Sequence, residues 1–146
     1  MIKQALIDIV GEQNFTDSLI DLISYSYDSS DHEHRPDAAV WPTTSEQVSG
    51  ILTMANRHRF AVTPRGAGTG LAGAAVPAGG GIILDLCRMN KILDIQIVDR
   101  RVVVQPGVYT PTWKGPSTHM DFSFHRTLPA VRSAPLAVTW PPTPAD

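Results

Sequence analysis

The amino-acid sequence predicts an α+β fold made of mixed helix and sheet layers. Segments with helical spacing of apolar residues alternate with short apolar runs typical of strands. A glycine-rich stretch, residues 64–77, lies between two of these runs. The 146 residues are enough for one domain with one hydrophobic core. A sheet with helices packed on it buries both kinds of apolar face, so this pattern disfavours a helical bundle.

The N-terminal segment predicts two short helices followed by a loop. The first helix has an apolar face at the spacing i, i+3, i+4 and i+7, formed by Ile2, Ala5, Leu6 and Ile9. A second helical pattern runs from Leu19 to Ile23. The stretch 24–37 then collects serines, aspartates and a proline, which is typical of an ordered loop.

A strand and a longer helix follow this loop. The apolar run Ala38–Val40, which ends at Trp41, predicts a strand. Thr44 and Gln47 have the spacing of a capping box, in which Thr44 caps the helix N-terminus and the Gln47 side chain reaches back to it. The helix is predicted over residues 45–58, with an apolar face formed by Val48, Ile51, Leu52 and Ala55.

Further strands lie on both sides of the glycine-rich stretch. Residues 60–62 predict a short strand that leads into it, and residues 82–86 predict a buried strand after it. Residues 92–98 alternate between apolar and polar, and residues 101–105 are rich in valine. A turn over residues 98–101 would join these last two strands as an antiparallel hairpin.

The glycine-rich stretch is the candidate binding site. Glycine lacks Cβ and reaches positive φ, so several backbone amides can converge on one phosphate. Arg65 beside it could add charge-assisted hydrogen bonds or could be a solvated loop charge. A flexible linker is the alternative interpretation. The spacing of the glycines fits neither the GxGxxG fingerprint nor the GxxxxGK[ST] loop, which disfavours a nicotinamide or nucleoside-triphosphate site.

Other polar residues give weaker signals. Residues 31–34 (DHEH) are more typical of a solvated loop than of a metal site, and no metal is predicted. Cys87 follows a buried strand, which predicts a small buried hydrophobe without a catalytic partner. Tyr25, Tyr27 and Asp28 either face a ligand or pack on the core. Residues 106–107 (PG) form either an ordinary turn or a second approach to a ligand.

Composition excludes some partners and favours one location. A net charge of -2 without a basic cluster argues against nucleic acid as a partner. The single cysteine rules out an internal disulfide, and the N-terminus does not resemble a signal peptide. No apolar run approaches the roughly 20 residues of a membrane span. We therefore expect no transmembrane segment and a cytoplasmic location, with a peripheral partner at a membrane left open.

Five segments together resemble the FAD-binding domain of the vanillyl-alcohol oxidase, or PCMH-type, flavoproteins. Within that group the sequence is most similar to the branch of glycolate oxidase large subunits and FAD-linked D-lactate dehydrogenases. The resemblance covers most of residues 25–108. Its segments are YSYDSS at 25–30, RPDAAVWPTTSEQV at 35–48, VTPRGAGTGLAGAAVP at 62–77, ILDLCRMNKIL at 83–93 and VVVQPGV at 102–108.

The resemblance implies which residues bind the cofactor. In this family the glycine loop wraps the FAD diphosphate, with Pro64 fixing the start of the loop. The implied contacts are Pro64, Arg65, Gly66, Ala67, Gly68, Thr69, Gly70, Gly73 and Ala74. Some branches attach FAD covalently through a histidine in this loop. Here no histidine lies between Pro64 and Pro77, so we expect non-covalent FAD.

The implied activity is oxidation of a small 2-hydroxy acid, such as glycolate or D-lactate, to the 2-oxo acid. The full-length relative would pass electrons to a quinone, a cytochrome or a partner subunit. Catalytic residues of the family lie in a later part of the chain, so none is assigned here. The alternative is a truncated remnant or a partial flavin-binding module without activity. A protein-interaction domain using the PPTP motif at 141–144 is a weaker third possibility.

The last segment has a different character from the rest. We divide the sequence into N-terminal helices and loop (1–34), the N-terminal part of an incomplete FAD-binding domain (35–109) and an irregular, disordered tail (110–146). The tail is rich in proline and has no regular period. Read in a shifted frame from Pro111, permitted codons give AHG, FFPPDP and TIGGN, which are segments of the family in family order. We therefore expect a frameshift near residues 109–111.

Overall fold

The computed structural model describes residues 2–96 and 101–108. The predicted tail, 110–146, and most of the predicted 98–101 turn lie outside these residues. The elements in chain order are α1 (Ile2–Val10), a 3₁₀ turn (Glu12–Asn14), β1 (Phe15–Thr16), α2 (Leu19–Ser24), β2 (Ala38–Val40), α3 (Ser45–His58), β3 (Val62–Arg65), β4 (Ile82–Asp85), β5 (Ile92–Gln96) and β6 (Arg101–Val104). The predicted mixture of helix and sheet is confirmed.

The main sheet has four strands in the order β1-β2-β4-β3. Strand β4 lies between β2 and β3 and pairs parallel with both, so that Ile83 lies opposite Ala39 on one side and Thr63 on the other. Strand β1 pairs antiparallel with β2. The carboxyl ends of β2, β3 and β4 therefore lie at the same edge of the sheet.

The two faces of the sheet bury different helices, because successive strand residues point to opposite faces. On one face, α1 and α3 pack against alternate strand residues in a cluster formed by Leu6, Val10, Ala38, Val40, Ile51, Met54, Ile82 and Leu84. On the other face, Leu22 of α2 and Tyr25 pack against Ala39 and Ile83. The two N-terminal helices, α1 and α2, thus pack on opposite faces of the sheet.

The cap of α3 forms with one change from the predicted pattern. Thr44 Oγ1 accepts a hydrogen bond from the Gln47 amide at 3.3 Å, as predicted. The Gln47 side chain reaches one residue further back than predicted, and its Oε1 accepts from the Thr43 amide at 2.8 Å. Its Nε2 donates to the carbonyl of Ile9 at 3.0 Å, which ties α3 to the end of α1.

The prediction for β3 was displaced by two residues. The strand spans Val62–Arg65 rather than 60–62, and it includes Pro64. Among the described residues β3 pairs only with β4, so it is an edge strand, where proline is tolerated. Phe60 instead packs against the α1/α3 side of the core.

The predicted antiparallel pair near residue 100 is confirmed as a separate two-stranded sheet of β5 and β6. Its register shifts between Ile92 and Asp94. None of the helices in the described part of the chain has the length and apolarity needed to cross a membrane.

Candidate functional site

The candidate site lies at the edge of the sheet where the parallel strands end. Trp41 follows β2, Arg65 is the last residue of β3, and Asp85 is the last residue of β4. In open sheets with parallel strands, ligands bind beyond the carboxyl ends of the strands. The glycine loop, defined here as residues 66–75, leaves β3 at this edge.

The glycine loop presents a run of amides without acceptors. Within residues 2–96 and 101–108, no hydrogen-bond acceptor is assigned to any backbone N–H of residues 66–74. Gly68 and Gly73 have positive φ values of 67° and 70°. Successive amides with alternating backbone hand form concavities that bind anions. Backbone amides that lack protein partners need water or a ligand to satisfy them.

Of the two roles that the sequence left open for Arg65, the structure excludes one. Arg65 is buried, with 9% of its surface exposed, so it is not a solvated loop charge. Its Nη1 donates to the carbonyls of Tyr27 at 2.9 Å and Ala75 at 3.3 Å, and its Nη2 donates to the carbonyl of Ser24 at 3.3 Å. The guanidinium thus joins the glycine loop to the segment that follows α2.

That segment, residues 24–32, lies along the glycine loop and is here named the buttress. The Ser29 amide donates to the carbonyl of Gly70 at 3.1 Å. The His32 ring lies so close to Gly73 that an added Cβ would come within 2.5 Å of His32 Cδ2. A cavity of about 320 Å³ opens beside this contact, lined by His32, Glu33, His34, Ala72, Gly73, Val76 and Ala78.

Asp28 is the buried anion of the buttress, with 8% of its surface exposed. Its Oδ1 accepts from the Ser30 amide at 2.8 Å and from the Ser30 hydroxyl at 2.5 Å. These hydrogen bonds, with smaller contributions from the Ala75 amide and the Arg65 charge, lower the pKa of Asp28. No partner is assigned to its buried Oδ2 among the described residues.

A second polar cluster lies next to Arg65 at the same edge. Asp85 Oδ2 accepts from the Tyr25 hydroxyl at 2.7 Å and from Trp41 Nε1 at 3.1 Å. Burial, followed by the hydrogen bond to Asp85, raises the pKa of Tyr25 well above its ordinary value. The Arg65 guanidinium carbon lies 5.5 Å from the centre of the Tyr25 ring, a cation–π distance. Tyr25 therefore packs on the core, and the more distant Tyr27 is about half exposed.

The prediction that Cys87 is buried was wrong. Cys87 is exposed, because the chain turns outward after β4, and its amide donates to Asp85 Oδ1 at 2.9 Å. Desolvation of the thiol, followed by the hydrogen bond to Asp85, raises the pKa of Cys87 to about 11. The thiol stays protonated at neutral pH, which disfavours a nucleophilic role.

Residues 31–34 and 106–107 are also placed by the structure. No group of three or more metal-ligating side chains occurs in the described ranges, including the 31–34 segment. Gly107 packs against backbone, since an added Cβ would overlap the carbonyl oxygen of Leu86, and its amide donates to the Met89 carbonyl at 2.8 Å. The close backbone approach at this glycine is therefore to protein.

Residues 36–112 match the sequence pattern of the FAD binding domain family, and this range includes the whole glycine loop and strands β2 to β6. The chain belongs to this family.

The chain is similar in sequence to glycolate oxidase subunits and to a D-lactate dehydrogenase. The chain is 40% identical over 110 residues to the glycolate oxidase subunit GlcD of Bacillus subtilis and 46% identical over 89 residues to GlcD of Escherichia coli. It is 42% identical over 74 residues to a D-lactate dehydrogenase of Anaerostipes hadrus. These matches cover 75%, 60% and 51% of this chain but only 23%, 18% and 16% of those proteins.

Solved structures confirm the PCMH-type fold. A p-cresol methylhydroxylase with substrate bound superposes with a TM-score of 0.69 at 32% identity, covering 76% of this chain and 22% of the other. An alkyldihydroxyacetonephosphate synthase also gives a TM-score of 0.69, at 21% identity, covering 75% of this chain and 25% of the other. The second likeness concerns the fold alone.

The structure brings most of the sequence-predicted binding residues into one place. Residues 66–70 form the part of the loop nearest the end of β3, and Gly73 and Ala74 lie at its far end beside the buttress. Pro64 is in β3 rather than in the loop. Sequence reasoning missed the contacts of Ser29 and His32 with the loop. The only signal for them was the YSYDSS segment, whose role depends on a contact between distant parts of the chain.

Proposed function

We propose that this chain supplies the diphosphate-binding part of an FAD-dependent oxidoreductase that oxidises a small 2-hydroxy acid to the 2-oxo acid. Family membership supports FAD as the cofactor. The substrate class is supported by the names of relatives, since glycolate, D-lactate and D-2-hydroxyglutarate all carry a hydroxyl next to a carboxylate. A cytoplasmic location and a partner electron-transfer subunit belong to the same proposal, and the word "subunit" in the GlcD name supports the latter.

The run of unpartnered amides at residues 66–74 is the observation that carries the cofactor part of the proposal. Converging N–H groups hold a diphosphate without requiring a movable cation. In this arrangement the amides of Gly66, Ala67, Gly68, Thr69, Gly70, Gly73 and Ala74 hold the diphosphate, Pro64 directs the end of β3 into the loop, and Arg65 lies beneath. Bound FAD would supply the acceptor for the hydride from the hydroxyl-bearing carbon.

In this proposal, the role of the described residues is to bind and orient FAD. No side chain of the described residues is assigned as a catalytic base, and the Cys87 thiol is protonated at neutral pH. The flavin is proposed to be non-covalent, because the loop has no histidine between Pro64 and Pro77. The ring of His32 contacts the loop from the buttress, so a covalent bond from this histidine has to be tested. After acid precipitation of the FAD-loaded protein, the flavin is expected in the supernatant.

A second candidate function is a flavin-binding module without activity of its own. It is favoured by the fact that the chain spans 23% and 18% of the two GlcD relatives. The irregular segment 110–146 stays assigned, by sequence alone, to a shifted reading frame. Resequencing the gene and its downstream region tests that assignment, and an intact reading frame without a continuation in another frame would contradict it.

Titration with FAD tests the cofactor part of the proposal, which the two candidate functions share. The full 146-residue chain, freed of flavin, is titrated with FAD while flavin fluorescence is followed, and inorganic pyrophosphate is added as a competitor. We expect saturable quenching that pyrophosphate reverses. Absence of any FAD binding by folded protein would overturn the proposal.

Anaerobic addition of glycolate or D-lactate to the FAD-loaded chain then tests the activity. Bleaching of the flavin absorbance supports the enzyme. A yellow protein that does not bleach with either acid supports the module and contradicts activity of this chain.

A further inference from the structure

Arg65 lies beside the proposed diphosphate site, and its side chain already makes three hydrogen bonds to the protein. Both Nη nitrogens donate, and all three acceptors are backbone carbonyls, of Ser24, Tyr27 and Ala75. Two of these carbonyls belong to the buttress and one to the far end of the glycine loop. To turn toward a ligand, the guanidinium would have to give up its hydrogen bonds to these three carbonyls.

The glycine loop is folded over this side chain. Gly68 has a φ of 67°, and a Cβ added there would overlap the Arg65 guanidinium. The loop backbone therefore crosses directly over the arginine, and only glycine allows that approach. The requirement for glycine at this position comes from the arginine as well as from the backbone conformation.

Neighbouring groups of the protein partly offset the charge of Arg65. The Tyr25 ring lies 5.5 Å from the guanidinium carbon, and the buried Asp28 carboxylate is held in the buttress by Ser30. A cation compensated by a nearby anion attracts a further anion less strongly. The three assigned hydrogen bonds of Arg65 thus go to protein carbonyls, and its charge is partly compensated by Asp28.

Further contacts fix the same two segments together. The Ser29 amide donates to the Gly70 carbonyl at 3.1 Å, and the His32 ring contacts Gly73. The buttress thus contacts the loop at Gly70 and Gly73, and Arg65 links it to Ala75 at the end of the loop. The loop gains a fixed shape although residues 66–74 donate no assigned backbone hydrogen bond within the described ranges.

We propose that Arg65 is a positioning residue, which holds the glycine loop against the buttress so that the amides of residues 66–74 converge on the diphosphate, and that it does not itself contact the diphosphate. This inference rests on the proposed function, because it concerns the same site. It assigns anion binding to the backbone and loop shape to the arginine.

Nuclear magnetic resonance of the wild-type chain tests the inference without any substitution. Inorganic pyrophosphate is added to the ¹⁵N-labelled full-length protein, followed in a second sample by FAD. We expect the amide signals of residues 66–74 to shift while the Arg65 guanidinium signals stay in place. A shift of the guanidinium signals comparable to that of the amides would overturn the inference and leave the proposed function intact. Absence of shifts in both groups, with either probe, would overturn the proposed function itself.

Two substitutions give a second, independent test. Arg65→Lys keeps the positive charge but lacks the planar set of donors that joins three carbonyls, and Arg65→Met lacks both. If Arg65 positions the loop, both variants weaken FAD and pyrophosphate binding by at least tenfold, and they differ from each other by less than about threefold. If Arg65 binds the diphosphate directly, Arg65→Lys retains most of the wild-type affinity, which would contradict the inference.

Hydrogen exchange in the absence of ligand shows whether the loop has been released. In both variants we expect faster exchange at the amides of Ser29 and Val76, which donate to Gly70 and Gly73. The amides of Ile83 and Leu84 in the central strand serve as the internal control and should keep wild-type protection. Unchanged exchange at Ser29 and Val76 would contradict the positioning role even if binding were lost.

Discussion

Two glycine-rich segments of this chain have similar composition and opposite backbone behaviour. In the glycine loop, no acceptor is assigned to the amides of residues 66–74 within the described ranges. In the second segment, residues 79–81, the Gly80 amide donates to the Pro77 carbonyl at 2.7 Å and the Gly81 amide donates to Asp37 Oδ2 at 3.0 Å. The Gly81 carbonyl accepts from the Asp37 amide in return, at 2.8 Å.

The difference shows that glycine serves two distinct purposes here. At Gly81 the missing side chain lets the backbone pass against Ala61, so that β4 can begin beside β3. At Gly66 and Gly70 no atom lies within 4 Å of the position of an added Cβ, so the protein itself does not require glycine there. What distinguishes a binding loop from a packing turn is whether its amides have acceptors, and not how many glycines it contains.

The largest expected effect is that of Gly81→Ala on stability. Its φ is 77°, and the new Cβ would overlap the carbonyl oxygen of Ala61, which is backbone and cannot rotate away. Strain and overpacking together should lower the free energy of unfolding by about 3–5 kcal/mol. Denaturant unfolding followed by circular dichroism measures this change.

Gly79→Ala is the matched control for that substitution. Its Cβ would lie 3.7 Å from Ala61 Cβ, an ordinary contact, and its φ is not positive. The free energy of unfolding should stay within about 0.5 kcal/mol of wild type. Equal stability of the two variants would show that close packing does not explain the second segment.

Gly70→Ala should have an intermediate effect, confined to binding. The space beside Gly70 is open and its φ is not positive, so the free energy of unfolding should be unchanged or raised by up to about 1 kcal/mol. A methyl group in the glycine loop keeps the ligand away from the amides. We therefore expect FAD affinity to fall about tenfold, or about 1.4 kcal/mol. Fluorescence titration measures the affinity, again with Gly79→Ala as control. Wild-type affinity in Gly70→Ala would argue that the loop does not surround the diphosphate.

The smallest expected effect is the pH dependence of the free energy of unfolding that Cys87 and Tyr25 cause. The pKa of Cys87 is raised from 9.0 to about 11 in the folded chain. Because the pKa is raised on folding, the contribution of Cys87 to the free energy of unfolding is fully present below pH 9 and is lost as the pH rises toward 11. Tyr25, whose pKa is also raised, acts in the same direction above pH 10.

Thermal unfolding between pH 8 and pH 11 tests this dependence. The Tm of wild type should fall over this range, and Cys87→Ser should reduce the fall because it removes the titrating thiol. Cys87 is exposed, so serine is expected to leave the Tm at pH 8 nearly unchanged. An identical pH profile in Cys87→Ser would show that the thiol does not contribute.

Local patterns predicted the elements of this fold well. Thr44 is the N-cap of α3, as its spacing from Gln47 indicated, and the helix spans Ser45–His58 as the apolar period required. These features depend on residues a few positions apart, which the sequence displays directly. The start of β3 was harder to predict from the sequence, because Phe60 and Pro64 have opposite local preferences for a strand. The pairing with β4 decided which residues entered the sheet.

The sequence by itself determined the order of the three helices and of strands β2 to β6, the position of the glycine loop and, by resemblance, the family, whereas the short strand β1 was not predicted. Only the tertiary structure decided that Arg65 donates to the carbonyls of Ser24, Tyr27 and Ala75 and that Cys87 is exposed. It also decided that the Gly80 and Gly81 amides have protein acceptors, whereas none is assigned to the amides of residues 66–74 within the described ranges. The physical reason is the distance along the chain between partners. Arg65 lies 38 and 41 residues from its two buttress acceptors, and Gly81 lies 44 residues from Asp37, so no local pattern records these contacts.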